Sequence, residues 1–202
     1  MPAVPADPGT AAATASRAGR RRPDRPLPRI ADAIEQAPGL DQAAALFDRV
    51  SRTVVPRAGA LRDELRGRSL GHPVHSILTD LPIGLWTAAL ALDVTRPSGH
   101  AAASRRLVAL GLLAVPPTVL TGLTDFRALT SKQPRRVASA HAAFNTAGTL
   151  LALASWQARR SGRSGLGTVL SVAGMGAVGA GGFLGGHLAQ AMHEPRHVPG
   201  AE

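Results

Sequence analysis

Apolar residues recur along this chain in two different ways, and the change falls near residue 71. Between residues 40 and 54, Leu40, Ala43, Phe47, Val50 and Val54 lie three or four apart, while Asp41, Asp48, Arg49 and Arg52 take the rest of the wheel. That spacing puts the apolar side chains on one face of an α-helix. Pro56, which has no amide donor, ends it. A second, shorter polar helix through Leu61 and Leu65 closes at Gly67. Helices of this kind suit two places, the membrane surface or the mouth of a helical bundle.

From residue 71 the apolar character becomes almost continuous. Four runs stand out: 77–95, 107–123, 138–158 and 166–192. Their only ionisable groups are Asp80 and Asp93 in the first, His141 in the third and His187 in the fourth. Roughly 17 to 25 apolar residues cross a bilayer as a helix. The second run is apolar around its whole circumference, which excludes a soluble bundle with one face in water. The expected fold is all-α: an integral membrane four-helix bundle over residues 71–192. Short amphipathic helices precede it in 30–70, and a C-terminal tail follows in 193–202. Residues 1–29 mix Ala, Pro and Thr with Arg17, Arg20, Arg21, Arg22, Arg25 and Arg29. That segment has too little apolar surface to offset the entropy of ordering, so a disordered basic tail is expected. It has no apolar stretch of the secretory-signal type.

Charge sharpens this picture. A net charge of +10 would point to nucleic acid in a soluble chain. Here the arginines sit in the tail and between the apolar runs, which suits anionic headgroups. The expected partner is the lipid bilayer, with no nucleic acid. The loops hold Arg96, Arg105 and Arg106, then Arg127, Lys132, Arg135 and Arg136, then Arg159, Arg160 and Arg163. The second loop and the region before the first span carry the excess. The positive-inside rule therefore expects a multi-pass protein of the cell membrane with both termini cytoplasmic. The chain has no cysteine, which removes disulfides, thiolate metal sites and iron–sulfur ligation. Walker, dinucleotide and hydrolase motifs are absent from the sequence.

Within the spans, Gly181 with Gly185 and Gly182 with Gly186 form overlapping small-xxx-small pairs, so the fourth helix is expected to pack closely in the bundle. Trp86 falls mid-span and is expected inside, while Trp156 fits an interfacial belt. Asp80, two residues before Pro82, reads as a helix N-cap with proline in the first turn.

Antiparallel spans bring the start of the first, the end of the second, the start of the third and the end of the fourth to one membrane face. Those places hold His72, His75 and Asp80; Asp125; His141 and Asn145; and His187. His141 and Asn145, four apart, share a helix face. Ionisable groups at membrane depth are costly and mark sites or pathways. His75, His141 and His187 are the candidate ligands, and His72, Asp80, Asp125 and Asn145 complete the candidate cluster. Imidazoles beside carboxylates suit axial ligation of haem b, a divalent metal or proton relay. The alternative is that these groups only lock the helices through hydrogen bonds.

Several motifs here resemble a bacterial family of four-span membrane proteins, domain of unknown function 2231. They are Gly71-His72-Pro73-Val74-His75, Thr79-Asp80-Leu81-Pro82-Ile83-Gly84-Leu85-Trp86, Thr121-Gly122-Leu123-Thr124-Asp125, His141-Ala142-Ala143-Phe144-Asn145 and Gly185-Gly186-His187-Leu188. The resemblance runs over about residues 61–188. Some relatives carry a Rieske-type iron–sulfur domain after the fourth span, which implies redox work. This chain has no cysteine and only a short tail with His193 and His197 there. An electron-transfer role would therefore need a separate redox partner. The resulting expectation is a membrane-embedded helical module serving as a haem- or quinone-linked redox accessory. The alternative is a structural or interaction protein.

Overall fold

A computed structural model of the chain describes residues 26–95 and 99–192. The expected tails, up to residue 25 and from residue 193, lie outside the described residues. Seven helices follow one another: α1 (Pro26–Glu35), α2 (Leu40–Val54), α3 (Ala60–Leu65), α4 (Val74–Thr95), α5 (Ala101–Phe126), α6 (Lys132–Arg160) and α7 (Ser164–Gln190). There is no strand among the described residues. Helices α4 to α7 run 22 to 29 residues and are apolar enough to cross a membrane. At 1.5 Å per residue they reach about 33 to 44 Å, beyond a hydrocarbon core of about 30 Å.

The amphipathic helix ends where its pattern predicted, at Val54, and Gly67 closes the next turn with a left-handed φ of 97°. Two boundaries differ from expectation. The tail assigned to 1–29 gives up its last residues to α1, which starts at Pro26, a residue the first helical position tolerates. The spans also absorb the flanking basic residues: Arg105 and Arg106 lie within α5, and Lys132, Arg135, Arg136, Arg159 and Arg160 within α6. Helical hydrogen bonding continues through the headgroup layer, and long basic side chains can reach water or a partner from there.

Asp80 is likewise not an N-cap. Helix α4 begins six residues earlier at Val74, leaving Pro82 inside the helix and Asp80 exposed. Pro82 removes the donor that would have served the Leu78 carbonyl. The Thr118 hydroxyl of α5 lies 3.2 Å from that oxygen and so covers it from the neighbouring span.

Helix α4 packs most closely on α5, and α6 on α7; sparser contacts between α5 and α6 and between α4 and α7 close the ring. The bundle is thus two tight hairpins meeting along a looser seam, with α4 and α6 on its diagonal. Trp86, Ala89, Val108, Ala152 and Val178 form the mid-bundle core. As expected, Trp86 is inside: its indole fills the notch at Gly111 and donates to the Val108 carbonyl at 3.2 Å. Leu113, Leu150, Val169 and Val172 point outward, a cost in water but the natural surface in lipid. Trp156, partly buried, carries the Arg160 guanidinium 4.8 Å above its ring.

Close approach in the α6–α7 hairpin centres on Gly148 and Gly174, where a Cβ on either would press on the other's carbonyl oxygen at 3.1 and 3.3 Å. Of the two overlapping glycine pairs in α7, Gly181 and Gly185 face the bundle. Among the described residues Gly182 and Gly186 have nothing within 4 Å of a built Cβ, so that pair packs on none of the described helices. Neighbouring residues differ by 100° around a helix, and only one of two adjacent stripes can face α6.

Helices α1 and α2 cover the start of α6. Ala44 and Phe47 of α2 pack with Phe126 and Ala138, and Ile34 of α1 with Val137, Ala140 and Leu184. Of the two places open to the amphipathic helices, α2 therefore occupies the bundle mouth with one face.

Candidate functional site

The mouth beneath α1 and α2 is where the sequence placed its polar residues. His75 stands in the first turn of α4, and its Nδ1 lies 3.0 Å from the Thr118 carbonyl and 3.4 Å from the Thr121 hydroxyl of α5. His141, two and a half turns into α6, places its Nδ1 2.7 Å from the Gly181 carbonyl of α7. A carbonyl oxygen only accepts, so Nδ1 carries a proton in both rings. Each imidazole is thereby tethered within its own hairpin. Across the seam the two rings lie 6.2 Å apart between centroids and nearly perpendicular, at 82°.

Missing side chains make room for this arrangement. His75 lies against Gly122, Asn145 against Gly181, and His141 against Gly185, where an added Cβ would fall within 3 Å of each. Asn145 donates to the His141 carbonyl at 2.9 Å, and its amide nitrogen sits 3.3 Å from both ring nitrogens of His141. The structure so brings together His75, His141 and Asn145. Asp125, partly buried, is one turn beyond Thr121 on the same face of α5.

Other predicted members go elsewhere. His187 turns to α1, its Nε2 2.7 Å from the Glu35 carboxylate. His72 is exposed in the turn before α4, and Asp80 is exposed on α4 itself. Among the described residues, no three His, Cys, Asp or Glu side chains converge as metal ligands would.

Basic residues at the start of α6 fasten the cover. Arg136 grips Asp41 with two bonds, at 2.6 and 2.9 Å, and donates to the Glu35 carbonyl at 3.0 Å. Arg135 pairs with Asp48 at 2.9 Å while lying 4.8 Å over the Phe126 ring. These hydrogen bonds hold the Asp41 and Asp48 carboxyls below the usual carboxylate range, Arg136 acting on the first and Arg135 with Arg52 on the second. Arg127 adds a bond to the Val55 carbonyl at 2.9 Å.

A second polar centre lies at the opposite end of the bundle. Arg159, placed in the third loop by sequence, is inside: its side chain is 1% exposed and that of its partner Asp93 7%. The guanidinium meets both carboxylate oxygens at 2.9 and 2.6 Å, and adds bonds to Ser155 at 3.1 Å and Ser171 at 3.2 Å. Asp93 comes from α4, Arg159 and Ser155 from α6 and Ser171 from α7, so three of the four spans contribute. A faint signal was available: Asp93 and Arg159 end the first and third apolar runs, which antiparallel packing puts at one depth. Nothing in the sequence pointed to Glu35, 152 residues from His187.

The family model described as "Predicted membrane protein (DUF2231)" matches residues 71–194, beginning where the hydropathy changes. No curated protein and no solved structure matches the chain.

Proposed function

The chain belongs to the DUF2231 family of predicted membrane proteins, and on that premise we propose that it is a membrane-embedded redox module whose centre is the imidazole pair of His75 and His141, the residues that would hold a haem b. The observation that carries this reading is the pair itself: two tethered, perpendicular rings on diagonal helices, 6.2 Å apart. Ligand count favours haem over a divalent ion, which takes three or more protein ligands at a closed site. Haem iron, whose other donors come from the macrocycle, needs no more than two side chains. The seam is also the sparser contact in the ring, where two rigid hairpins can separate to admit a flat group.

Bound there, the haem would supply one-electron transfer. Thr118 and Gly181 hold the rings with Nδ1 protonated, which leaves Nε2 as the nitrogen able to donate a lone pair. Gly122 and Gly185 let the rings reach their positions. The cover of α1 and α2 shields that end from water. With no cysteine in the chain, electrons would pass onward to a separate redox partner. The charge bias supports cytoplasmic termini, and pairing of Arg159 with Asp93 adds to it by taking one cation away from the third loop.

Protein purified from haem-replete cells should show a Soret band that shifts on reduction, and His75→Ala and His141→Ala should each lose it. Colourless preparations in which both variants differ from the parent only in stability would end the redox reading. A second reading has its own support, because each Nδ1 and the Asn145 amide bonds to backbone carbonyls. On that reading the cluster is a helix lock, and the same variants would cost about 1 to 3 kcal/mol of stability by stranding buried partners.

A further inference from the structure

Helix α2 covers the bundle mouth with only part of its apolar surface. Ala44 and Phe47 face the bundle, whereas Leu46, Val50 and Val54, spaced by four on an adjoining stripe, are 58%, 41% and 50% exposed. The apolar arc therefore continues past the protein contact around one side of the helix. The other side is polar, with Asp41 and Asp48 held by α6 and Ala45 and Arg52 exposed, while Arg49 borders the stripe.

We infer that this second stripe of α2 rests in the anionic leaflet of the surrounding bilayer, at the boundary of headgroups and acyl chains, so that α2 joins the bundle to the membrane surface. Two features identify lipid as the occupant. The stripe lies at the depth of the bilayer interface, because α2 is fastened to the end of α5 and the start of α6, the termini of two apolar helices. Charge complements it: Arg49 flanks the stripe, and exposed Arg57 and Arg68 follow in the chain, the pattern by which interfacial helices bind acidic headgroups. A stripe of three large apolar side chains without such cover would be costly in water.

The absence of cysteine from the chain allows a direct test. Single variants Leu46→Cys, Val50→Cys and Val54→Cys, with exposed Ala45→Cys and Arg52→Cys on the opposite flank, are spin-labelled and placed in nanodiscs containing phosphatidylglycerol. Oxygen should relax the labels at 46, 50 and 54 more than a water-soluble nickel complex does, and the order should reverse at 45 and 52. In phosphatidylcholine alone the three labels should shift toward nickel. Nickel dominance at all three in both lipids overturns the inference, as does protection from both reagents, which would put a second protein surface on the stripe. Identical lipid exposure in the two compositions overturns the assignment to an anionic leaflet.

Discussion

Removing Asp93 should damage this protein more than removing both Asp93 and Arg159. In the parent, Arg159 is buried with its charge neutralised by two short bonds to Asp93 and its remaining donors on Ser155 and Ser171. Asp93→Ala keeps the guanidinium, which stays protonated at any accessible pH, and leaves it in a dry site with two hydroxyls. An unpaired buried charge costs about 3 to 5 kcal/mol. For a chain of this size that corresponds to a fall in melting temperature of about 6 to 20 °C. Arg159→Met strands the carboxylate instead, with a comparable penalty. The double variant Asp93→Leu with Arg159→Met removes both desolvation costs and fills the volume with apolar atoms, so it should lie within about 1 kcal/mol of the parent or above it. Reversible unfolding in mixed micelles, run as a double-mutant cycle, should give a coupling energy of about 3 kcal/mol or more. Single variants that each cost under about 1 kcal/mol, or a double variant equal to their sum, would refute the buried pair.

Three further outcomes follow from the packing and charge of the bundle. Gly185→Leu, whose side chain would enter the His141 ring, should lower the melting temperature in detergent, by the about 1 to 3 kcal/mol typical of overpacking or more; Gly182→Leu, which meets open space, should leave it nearly unchanged, and equal losses would put the wrong glycine stripe inside. Because Asp41 and Asp48 ionise more readily folded than unfolded, their contribution is complete above about pH 4 and is lost as pH falls through their lowered values. Hydrogen exchange of residues 40–54, corrected for intrinsic rates, should show protection falling below that pH; undiminished protection at pH 2 would remove the latch. Reporters inserted at Gly99, Ser131 and Gly162 should read outside, inside and outside, and an external signal at Ser131 would invert the orientation while leaving four spans.

What the sequence determined by itself is the part of the fold that lipid makes local. A backbone in hydrocarbon must satisfy its own hydrogen bonds, so an apolar run of sufficient length is a helix whatever its neighbours do. The four spans accordingly appear where the runs lie, in α4 to α7. Antiparallel order is then enough to carry His75, His141 and Asn145 to one end of the bundle. Rotation of each helix about its axis is a different matter. Spans α4, α5 and α7 are apolar nearly all round, so their patterns hold almost no preference for the face turned inward. Tertiary packing alone decided that Gly181 and Gly185 face the bundle while Gly182 and Gly186 do not. The Thr118 hydroxyl beside the carbonyl freed by Pro82 is another result of packing, as is the turn of His187 away from the imidazole pair to Glu35. Arg159 shows the limit most sharply. Its position at the end of an apolar run reads as a loop cation, and only the approach of Asp93 from a diagonal helix supplies the countercharge that lets a guanidinium stay inside.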